Sequence, residues 1–255
     1  MIAPALLLPE VLKLVEQAGA EILDHYGDDV AVKTKADATP VTAADEAAER
    51  ILAAGLRALT PSIPVIAEEE VARGEAPIAP GDLFWLVDPL DGTKEFIGQN
   101  GEFTVNVGLI ANGQPILGVV AAPAIDTCWW GAVGHGATMR IMGEVRSIEA
   151  RAAPPTGPVA MVSRSHGSPD EGAFLDREGA VDRVVAGSSL KFCRIAEGLA
   201  DLYPRFGRTM EWDTAAAHAV LRAAGGRVTT RDGQPLTYGK SGFANDGGFV
   251  ARGRG

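Results

Sequence analysis

The chain has 255 residues, of which 46% are hydrophobic and 22% charged, and its formal net charge is −10 at pH 7. This composition is typical of a folded globular protein and excludes disorder of the whole chain. The acidic balance argues against a general nucleic-acid-binding protein, which needs a basic surface, although a small anionic ligand is still allowed.

The cysteines and the apolar segments indicate the compartment. Cys128 and Cys193 are too few for a disulfide framework, and their surroundings do not resemble a zinc site. The N-terminus lacks the basic start and cleavage site of a signal peptide. The uncharged stretch 103–125 contains Asn, Gly and Pro, so it predicts two strands and a turn rather than a membrane span. We therefore expect a cytoplasmic protein without membrane insertion.

The first half of the chain is predicted to alternate helices with strands. Apolar residues recur at helical spacing over residues 9–26 and 46–59. Short apolar runs predict strands over residues 63–67, 83–87, 103–110, 116–122 and 127–132.

The second half begins after a linker-like segment, residues 151–158, which contains three prolines and a glycine. This segment predicts two subdomains, 1–153 and 154–255, within one domain that covers residues 1–255. Beyond it, helices are predicted over residues 170–178, 189–197 and 213–224. Strands are predicted over residues 159–163, 181–186, 200–203, 226–229 and 248–251.

The end of the predicted strand 83–87 carries two carboxylates. Asp88 follows the strand directly, Pro89 has no N–H and should end the strand pairing, and Asp91 begins a turn. Two like charges next to a buried strand repel each other and are costly to desolvate. A divalent cation that prefers oxygen ligands, such as Mg²⁺, Mn²⁺ or Ca²⁺, would offset both effects. The alternative is that this Asp-Gly pair is simply a turn.

Other acidic residues also have two interpretations. Asp45 and Asp213 each lie where a helix is predicted to begin, so both can be ordinary helix N-caps. The run of glutamates at residues 68–70 can be a solvated surface. A functional role requires that these carboxylates approach Asp88 and Asp91 in the fold.

Four separated segments, in this order, resemble the magnesium-dependent, lithium-sensitive phosphatase family that includes inositol monophosphatase. The segments are PVTAAD at 40–45, AEE at 67–69, WLVDPLDGT at 85–93 and WDTAA at 212–216. The resemblance covers nearly the whole chain. It implies an α/β fold, a layered αβαβα sandwich.

Three further segments are similar to the 3'(2'),5'-bisphosphate nucleotidases and not to the inositol monophosphatases. They are residues 91–104, SRSH at 163–166, and GSSLKFC at 187–193 together with LYPRF at 202–206. This closer resemblance implies hydrolysis of the 3'-phosphate of adenosine 3',5'-bisphosphate to AMP and phosphate. It also implies a place in sulfur assimilation.

The resemblance implies a two-magnesium site. The ligands of the first Mg²⁺ would be Glu68, Asp88 and the Leu90 carbonyl, with Glu68 assigned over its neighbour Glu69. The ligands of the second would be Asp88, Asp91 and Asp213. Such a pair of metals stabilises the attacking and leaving oxygens of an in-line displacement.

The remaining catalytic roles follow from the same resemblance. Glu68 and Thr93 would orient and deprotonate the attacking water, and Asp45 would assist them or help to bind a weaker third metal. The N–H groups of Gly92 and Thr93 would hold phosphate oxygens.

Substrate choice is implied to come from the second half. Ser188, Lys191 and Arg205 resemble the residues that contact the nucleotide and its second phosphate, with Asp213 also next to the substrate. His166 resembles the contact to adenine. An inositol or sugar monophosphatase, and a non-catalytic regulator with the same fold, are the alternatives. Whether the chain forms a homodimer is left open.

Overall fold

The computed structural model describes residues 3–27, 32–34, 40–76, 81–164 and 167–255, with the backbone alone described at 32–34 and 40–42. The helices are α1 (Leu8–Asp24), α2 (Ala43–Leu59), α3 (Glu68–Ala72), α4 (Thr93–Ile97), α5 (Pro169–Arg177), α6 (Leu190–Ala196) and α7 (Trp212–Ala223). Short 3₁₀ helices cover Pro4–Leu7, Pro123–Ile125 and Ser241–Phe243.

The strands form two large sheets and a small hairpin. The hairpin pairs β1 (Val32–Thr34) with β2 (Pro40–Thr42). The seven-stranded sheet contains, in spatial order, β3 (Val65–Ala67), β4 (Leu83–Asp91), β5 (Thr104–Ala111), β6 (Gln114–Ala122), β7 (Thr127–Ala132), β8 (Gly136–Ile141) and β9 (Glu144–Ile148). The five-stranded sheet has the order β11 (Asp182–Ala186), β10 (Val159–Ser163), β12 (Leu202–Arg205), β14 (Phe249–Arg252) and β13 (Arg227–Thr229).

The elements stack in five layers. Helices α1 and α2 cover one face of the seven-stranded sheet, and α6 and α7 lie between its other face and the five-stranded sheet. Helix α5 packs on the outer side of the five-stranded sheet. This arrangement confirms the predicted αβαβα sandwich.

Strand β4 illustrates why both faces of the seven-stranded sheet are covered. Side chains alternate between the two faces of a strand. Trp85 and Val87 accordingly belong to the core beneath α1 and α2, whereas Phe84 and Leu86 belong to the core that contains α6 and α7. A strand buried on both faces is apolar at every position, as the sequence predicted here.

Helix α7 lies unusually close to the seven-stranded sheet because it faces a row of glycines. Gly108, Gly118 and Gly131 are aligned across β5, β6 and β7. A Cβ added to Gly118 would lie 2.0 Å from the carbonyl oxygen of Ala216 in α7. The absence of side chains in this row therefore allows the helix backbone to approach the strands.

The structure corrects the prediction that Pro89 ends the strand. Strand β4 continues to Asp91, and its pairing with β5 shifts register between Asp88 and Asp91. Proline is tolerated at such an irregularity because its missing N–H is not needed for a regular ladder. The irregular pairing places Pro89 and Leu90 between the two carboxylates.

The sequence did not predict α3, α4, β8 or β9. Helices α3 and α4 have five residues each, too few to show helical periodicity. Strand β9 is mostly exposed and polar, so it lacks the apolar signature of a strand. None of the helices in the described residues is both long and apolar enough to span a membrane.

The glycine row generates a prediction about stability. Gly118→Ala is expected to destabilise the fold by about 1–3 kcal/mol, because the methyl group of the alanine would overlap the backbone of α7. Chemical denaturation would measure the change in the free energy of unfolding.

Gly172→Ala provides the matched control. Gly172 lies in α5 with open space around it, so alanine there is expected to stabilise the helix by up to about 1 kcal/mol. Equal effects of the two substitutions would contradict the proposed close packing of α7.

Candidate active site

Most of the predicted site residues meet in one cavity of about 380 Å³. The cavity lies where strands β3, β4 and β12 end and where helices α3, α4, α6 and α7 begin. Of the residues predicted from the sequence, those that line it are Glu68, Asp88, Leu90, Asp91, Gly92, Thr93, Ser188, Lys191, Arg205 and Asp213. Residues from both halves of the chain therefore face the same space.

Three carboxylates converge within the cavity. One oxygen from each of Glu68, Asp88 and Asp213 lies within 4.8 Å of the other two. Asp88 is 1% exposed and accepts a hydrogen bond from the Leu90 N–H at 3.0 Å. The three side chains come from α3, β4 and α7, so only the tertiary fold brings them together.

The glutamates that begin α3 point in three directions. Glu68 lines the cavity, whereas Glu69 is buried and its N–H donates to Glu49 Oε2 at 2.7 Å. Glu70 pairs with Arg57 on the surface through two hydrogen bonds of 2.9 and 2.6 Å. The helical turn separates neighbouring side chains, and this geometry favours Glu68 over Glu69 as the metal ligand.

The environment of the site opposes the charged forms of Asp91 and Asp213. Desolvation raises the pKa of Asp91 to about 7; Lys191 opposes this shift, and Glu95 adds to it. Desolvation also raises the pKa of Asp213, and the negative charges of Asp91 and Glu68 add to that effect. Repulsion among desolvated carboxylates is a cost that a bound cation would offset.

The donor set fits a divalent metal ion. Carboxylate oxygens are the ligands that Mg²⁺, Mn²⁺ and Ca²⁺ prefer. The carboxylates of Glu68, Asp88 and Asp213 lie close enough together to share one ion. Asp91 lines the same cavity and can add a further oxygen.

The turn after β4 places a short helix beside these carboxylates. Gly92 has a φ of 95°, a left-handed conformation that glycine adopts without strain, and it precedes α4. Thr93 is the first residue of α4 and lines the cavity. This sharp turn aims the start of α4 at the space next to Asp91.

Lys191 is a buried cation in the same cavity. It is 4% exposed, and its ammonium donates hydrogen bonds to the carbonyl oxygens of Ala186, at 3.3 Å, and Ser188. The ammonium also lies 5.2 Å from the centre of the Tyr203 ring. Desolvation lowers the pKa of Lys191 to about 8, and Asp91 opposes part of this shift. The side chain is therefore mostly charged at pH 7.

Arg205 supplies a second buried cation, and Ser188 a hydroxyl. Arg205 ends β12 and is 8% exposed, with Glu171 of α5 at 4.0 Å. Ser188 has a φ of 41°, an uncommon conformation for a residue other than glycine, and its hydroxyl lies 3.1 Å from that of Thr104. The cavity thus combines a carboxylate cluster with two cations.

Two other predicted residues are placed differently. Asp45 is 2% exposed in the first turn of α2, and it is not among the described residues that line the cavity. His166 lies outside the described residues. The roles predicted for these two residues remain predictions.

Sequence reasoning missed Glu95. This residue of α4 is 8% exposed, lines the cavity, and acts electrostatically on both Asp91 and Lys191. Its position in the first turn of a five-residue helix gave no periodic signal. The available sign was its place in the segment 91–104, which resembles the bisphosphate nucleotidases.

Known proteins are similar to this chain over nearly its whole length. The profile described as "Inositol monophosphatase family" matches residues 7–250. The 3'(2'),5'-bisphosphate nucleotidase CysQ of Escherichia coli O157:H7 is 47% identical over 244 residues, which are 94% of this chain and 98% of that protein. The protein of the same name from Buchnera aphidicola is 41% identical over 250 residues, which are 96% and 93% of the two chains.

Solved structures are similar over the same length. The crystal structure of CysQ from Bacteroides thetaiotaomicron, described as a bacterial member of the inositol monophosphatase family, has a TM-score of 0.80 and 35% identity, with 96% of each chain covered. The inositol monophosphatase from Anabaena has a TM-score of 0.77 and 27% identity, with 100% of this chain and 92% of that chain covered.

The raised pKa of Asp91 predicts how stability depends on pH. An ordinary unfolded Asp has a pKa of about 3.9. Between that value and about 7 the folded chain binds more protons at Asp91 than the unfolded chain, so metal-free stability should fall as pH rises through this window. Added Mg²⁺ binds the deprotonated carboxylates, so its stabilising effect should grow over the same window.

Thermal denaturation in the presence of chelator or of Mg²⁺ tests this pH dependence. The measurements run from about pH 5 to about pH 8, a range that covers most of the window between the unfolded and folded pKa values of Asp91. Asp91→Asn should raise the metal-free Tm at pH 8 and remove most of the Mg²⁺ effect. Asp126→Asn, on the exposed turn before β7, is the isosteric control and should behave as the unmodified chain does. A full Mg²⁺ effect in Asp91→Asn would contradict a role of Asp91 in metal binding.

Proposed function

The chain belongs to the inositol monophosphatase family, and we propose that it is a Mg²⁺-dependent 3'(2'),5'-bisphosphate nucleotidase. Its substrate would be adenosine 3',5'-bisphosphate, which it would hydrolyse at the 3'-phosphate to give AMP and phosphate. The observation that carries the proposal is a single cavity that contains both a carboxylate cluster and the buried cations Lys191 and Arg205. The higher identity to the bisphosphate nucleotidases than to the Anabaena inositol monophosphatase supports the same choice.

The carboxylates would hold two Mg²⁺ ions. Glu68, Asp88 and the Leu90 carbonyl are the proposed ligands of one ion, and Asp88, Asp91 and Asp213 those of the other. When bound, the metals supply charge neutralisation and activation of water for an in-line attack on phosphorus. The convergence of Glu68, Asp88 and Asp213 supports metal binding at this cluster.

The chain's own residues would then position the reactants. Glu68 and Thr93 would orient the attacking water, with the Glu68 carboxylate accepting its proton. The N–H groups of Gly92 and Thr93, at the sharp turn before α4, would hold oxygens of the 3'-phosphate. Asp45 would assist from the start of α2 or contribute to a third, weaker metal site.

The second phosphate would bind the cations of the other half. Lys191 holds its charge in a desolvated site, where an anionic phosphate oxygen is a stronger partner than the two carbonyl groups that now accept its hydrogen bonds. Arg205 offers a planar fork that matches two phosphate oxygens. Ser188 would donate a hydroxyl, and His166 is proposed to contact the adenine. A monophosphate cannot satisfy these cations while its only phosphate lies at the metals.

The substrate itself is the first prediction from this proposal. The kcat/KM for adenosine 3',5'-bisphosphate should exceed that for inositol 1-phosphate at least about tenfold, equivalent to about 1.4 kcal/mol of transition-state discrimination. Phosphate release at a fixed Mg²⁺ concentration would measure both values. If inositol 1-phosphate or fructose 1,6-bisphosphate is the better substrate, the nucleotidase proposal is wrong while family membership stands.

The second prediction separates anchoring from chemistry by using adenosine 3'-monophosphate, which lacks only the 5'-phosphate. Lys191→Ala should lower kcat/KM for the bisphosphate, because the loss of a charged contact removes about 1.5–3 kcal/mol of transition-state stabilisation. The same variant should change kcat/KM for the monophosphate little. Thr93→Ala should lower kcat on both substrates, because it disturbs the attacking water.

Lys94→Ala is the control for this pair of variants. Lys94 is an exposed residue on the wall of the same cavity, so its loss removes the same charge without removing a buried contact. Equal losses on the two substrates in Lys191→Ala would remove Lys191 from the specificity role.

A further inference from the structure

A network of polar contacts joins the substrate loop, residues 187–189, to the first strand residues after α4. Thr104 Oγ1 lies 3.1 Å from Ser188 Oγ and 2.9 Å from Ser189 Oγ. The Ser189 hydroxyl also donates to Asn106 Oδ1 at 2.7 Å. The loop belongs to the second half of the chain and Thr104 to the first, so these contacts cross between the two sheets.

Glu102 contributes the charged member of this network. Its carboxylate accepts a hydrogen bond from the Gly187 N–H at 2.7 Å. It also accepts two hydrogen bonds from the Arg164 guanidinium, at 2.9 and 2.8 Å. The Glu102 N–H itself donates to Asn100 Oδ1 at 2.9 Å, so the backbone at this glutamate is held as well.

The charge of Glu102 is stable at neutral pH. Burial works against the charged form, but hydrogen bonds from Arg164 and from the Gly187 N–H outweigh it, so the pKa of the Glu102 carboxyl lies below its ordinary value. Charge-assisted hydrogen bonds are stronger than neutral ones and have narrower geometry. Glu102 is therefore a firm attachment point for the loop.

The loop backbone needs such an attachment. A Cβ added to Gly187 would lie 2.9 Å from the Glu102 carbonyl oxygen and 2.9 Å from Glu95 Cγ, so the loop is pressed against this segment. The next residue, Ser188, adopts a φ of 41° without being glycine. Residues in sparsely populated conformations persist when surrounding contacts hold them, and they cluster at functional sites.

This backbone in turn sets the position of the Lys191 ammonium. The two carbonyl groups to which the ammonium donates belong to Ala186 and Ser188, on either side of Gly187. A shift of the Gly187 peptide would move both acceptors. The chain of contacts thus runs from Glu102 through Gly187 to the cation of the substrate cavity.

We infer that Glu102 is a positioning residue for substrate selection, which holds the loop 187–189 so that Lys191 and Ser188 meet the second phosphate of the substrate. The inference rests on the proposed nucleotidase function, because it concerns the group that would bind the 5'-phosphate. Glu102 does not touch the reacting atoms and acts only through the loop. Its loss should therefore affect recognition of the second phosphate and leave the chemistry at the metals intact.

Glu102→Ala is the principal test. It is expected to lower kcat/KM for adenosine 3',5'-bisphosphate at least about tenfold, mainly through KM, while kcat for adenosine 3'-monophosphate stays within about twofold. Binding of AMP, measured by calorimetry, should weaken by about tenfold as well, since AMP retains the 5'-phosphate. Glu102→Gln, whose amide oxygen can still accept from the Gly187 N–H, should retain part of the discrimination.

A matched pair of arginine variants separates positioning from general stability. Arg151 makes the same kind of paired contact to Asp201, at 2.8 and 3.0 Å, and Asp201 also accepts a backbone N–H at 2.8 Å. The two arginine side chains are similarly exposed, 45% for Arg164 and 42% for Arg151. Arg164→Met should reduce the preference for the bisphosphate, and Arg151→Met should lower Tm without changing that preference.

The outcomes distinguish this inference from the proposed function. If the unmodified chain does not prefer the bisphosphate over adenosine 3'-monophosphate, the proposed function fails and the inference fails with it. If Lys191→Ala abolishes a clear preference while Glu102→Ala retains its fold by Tm and keeps that preference, the inference alone is overturned. Equal losses by Glu102→Ala on both substrates would also overturn it, because they would indicate a role in catalysis or folding.

Discussion

The close contact between α7 and the seven-stranded sheet is the constraint on which the site depends. Gly108, Gly118 and Gly131 leave no side chains between the strands and the alanine-rich face of the helix. The backbone of α7 therefore reaches the sheet, and its first turn carries Asp213 to the end of β4. A bulkier row of residues would hold the helix away from the sheet and separate this carboxylate from Asp88.

The same contact also brings carboxylates together that repel one another. Asp88, Asp91, Asp213 and Glu68 gather where desolvation raises the pKa values of Asp91 and Asp213. Such a cluster is unfavourable for the isolated chain and favourable for a chain that binds a divalent cation. The fold thus holds ligands together against their mutual repulsion, which is the opposite of what stability alone would select. The positive charge of Lys191 opposes the raised pKa of Asp91 but offsets only part of it.

In the proposed function, specificity depends on how the second sheet is attached to the first. The loop 187–189 and the turn at Gly92 come from different halves of the chain, and they line one cavity, with polar contacts that cross between the sheets. Glu102 and Thr104 lie on the first side of this junction, and Gly187 and Ser188 on the second. Under this proposal, such a site keeps its carboxylate cluster while the opposing loop changes the substrate, so that one fold can serve both monophosphatases and bisphosphate nucleotidases.

The sequence by itself determined the layered fold class, most of the longer elements, and the residues of the carboxylate cluster. Apolar periodicity revealed the helices and buried strands, and the resemblance of four separated segments to one family implied the layered fold and the roles of Asp88, Asp91, Asp213 and one of the glutamates at 68–70. These signals are local, since each depends on residues within a few positions of one another. Short elements such as α3 and α4 escaped because five residues carry no period.

Only the tertiary structure decided which of the neighbouring glutamates faces the cavity, how β4 passes Pro89, and which residues connect the two sheets. Glu95 and Glu102 lie in the segment 91–104 that resembles the bisphosphate nucleotidases, but the sequence does not show what they contact, because partners such as Lys191 and Gly187 are distant in sequence and are reached only when the layers pack. The glycine row is equally invisible along the chain, since its members align through strand pairing. Contacts of this kind depend on the register between strands and on the depth at which helices pack, and neither quantity is encoded in a local pattern of residues.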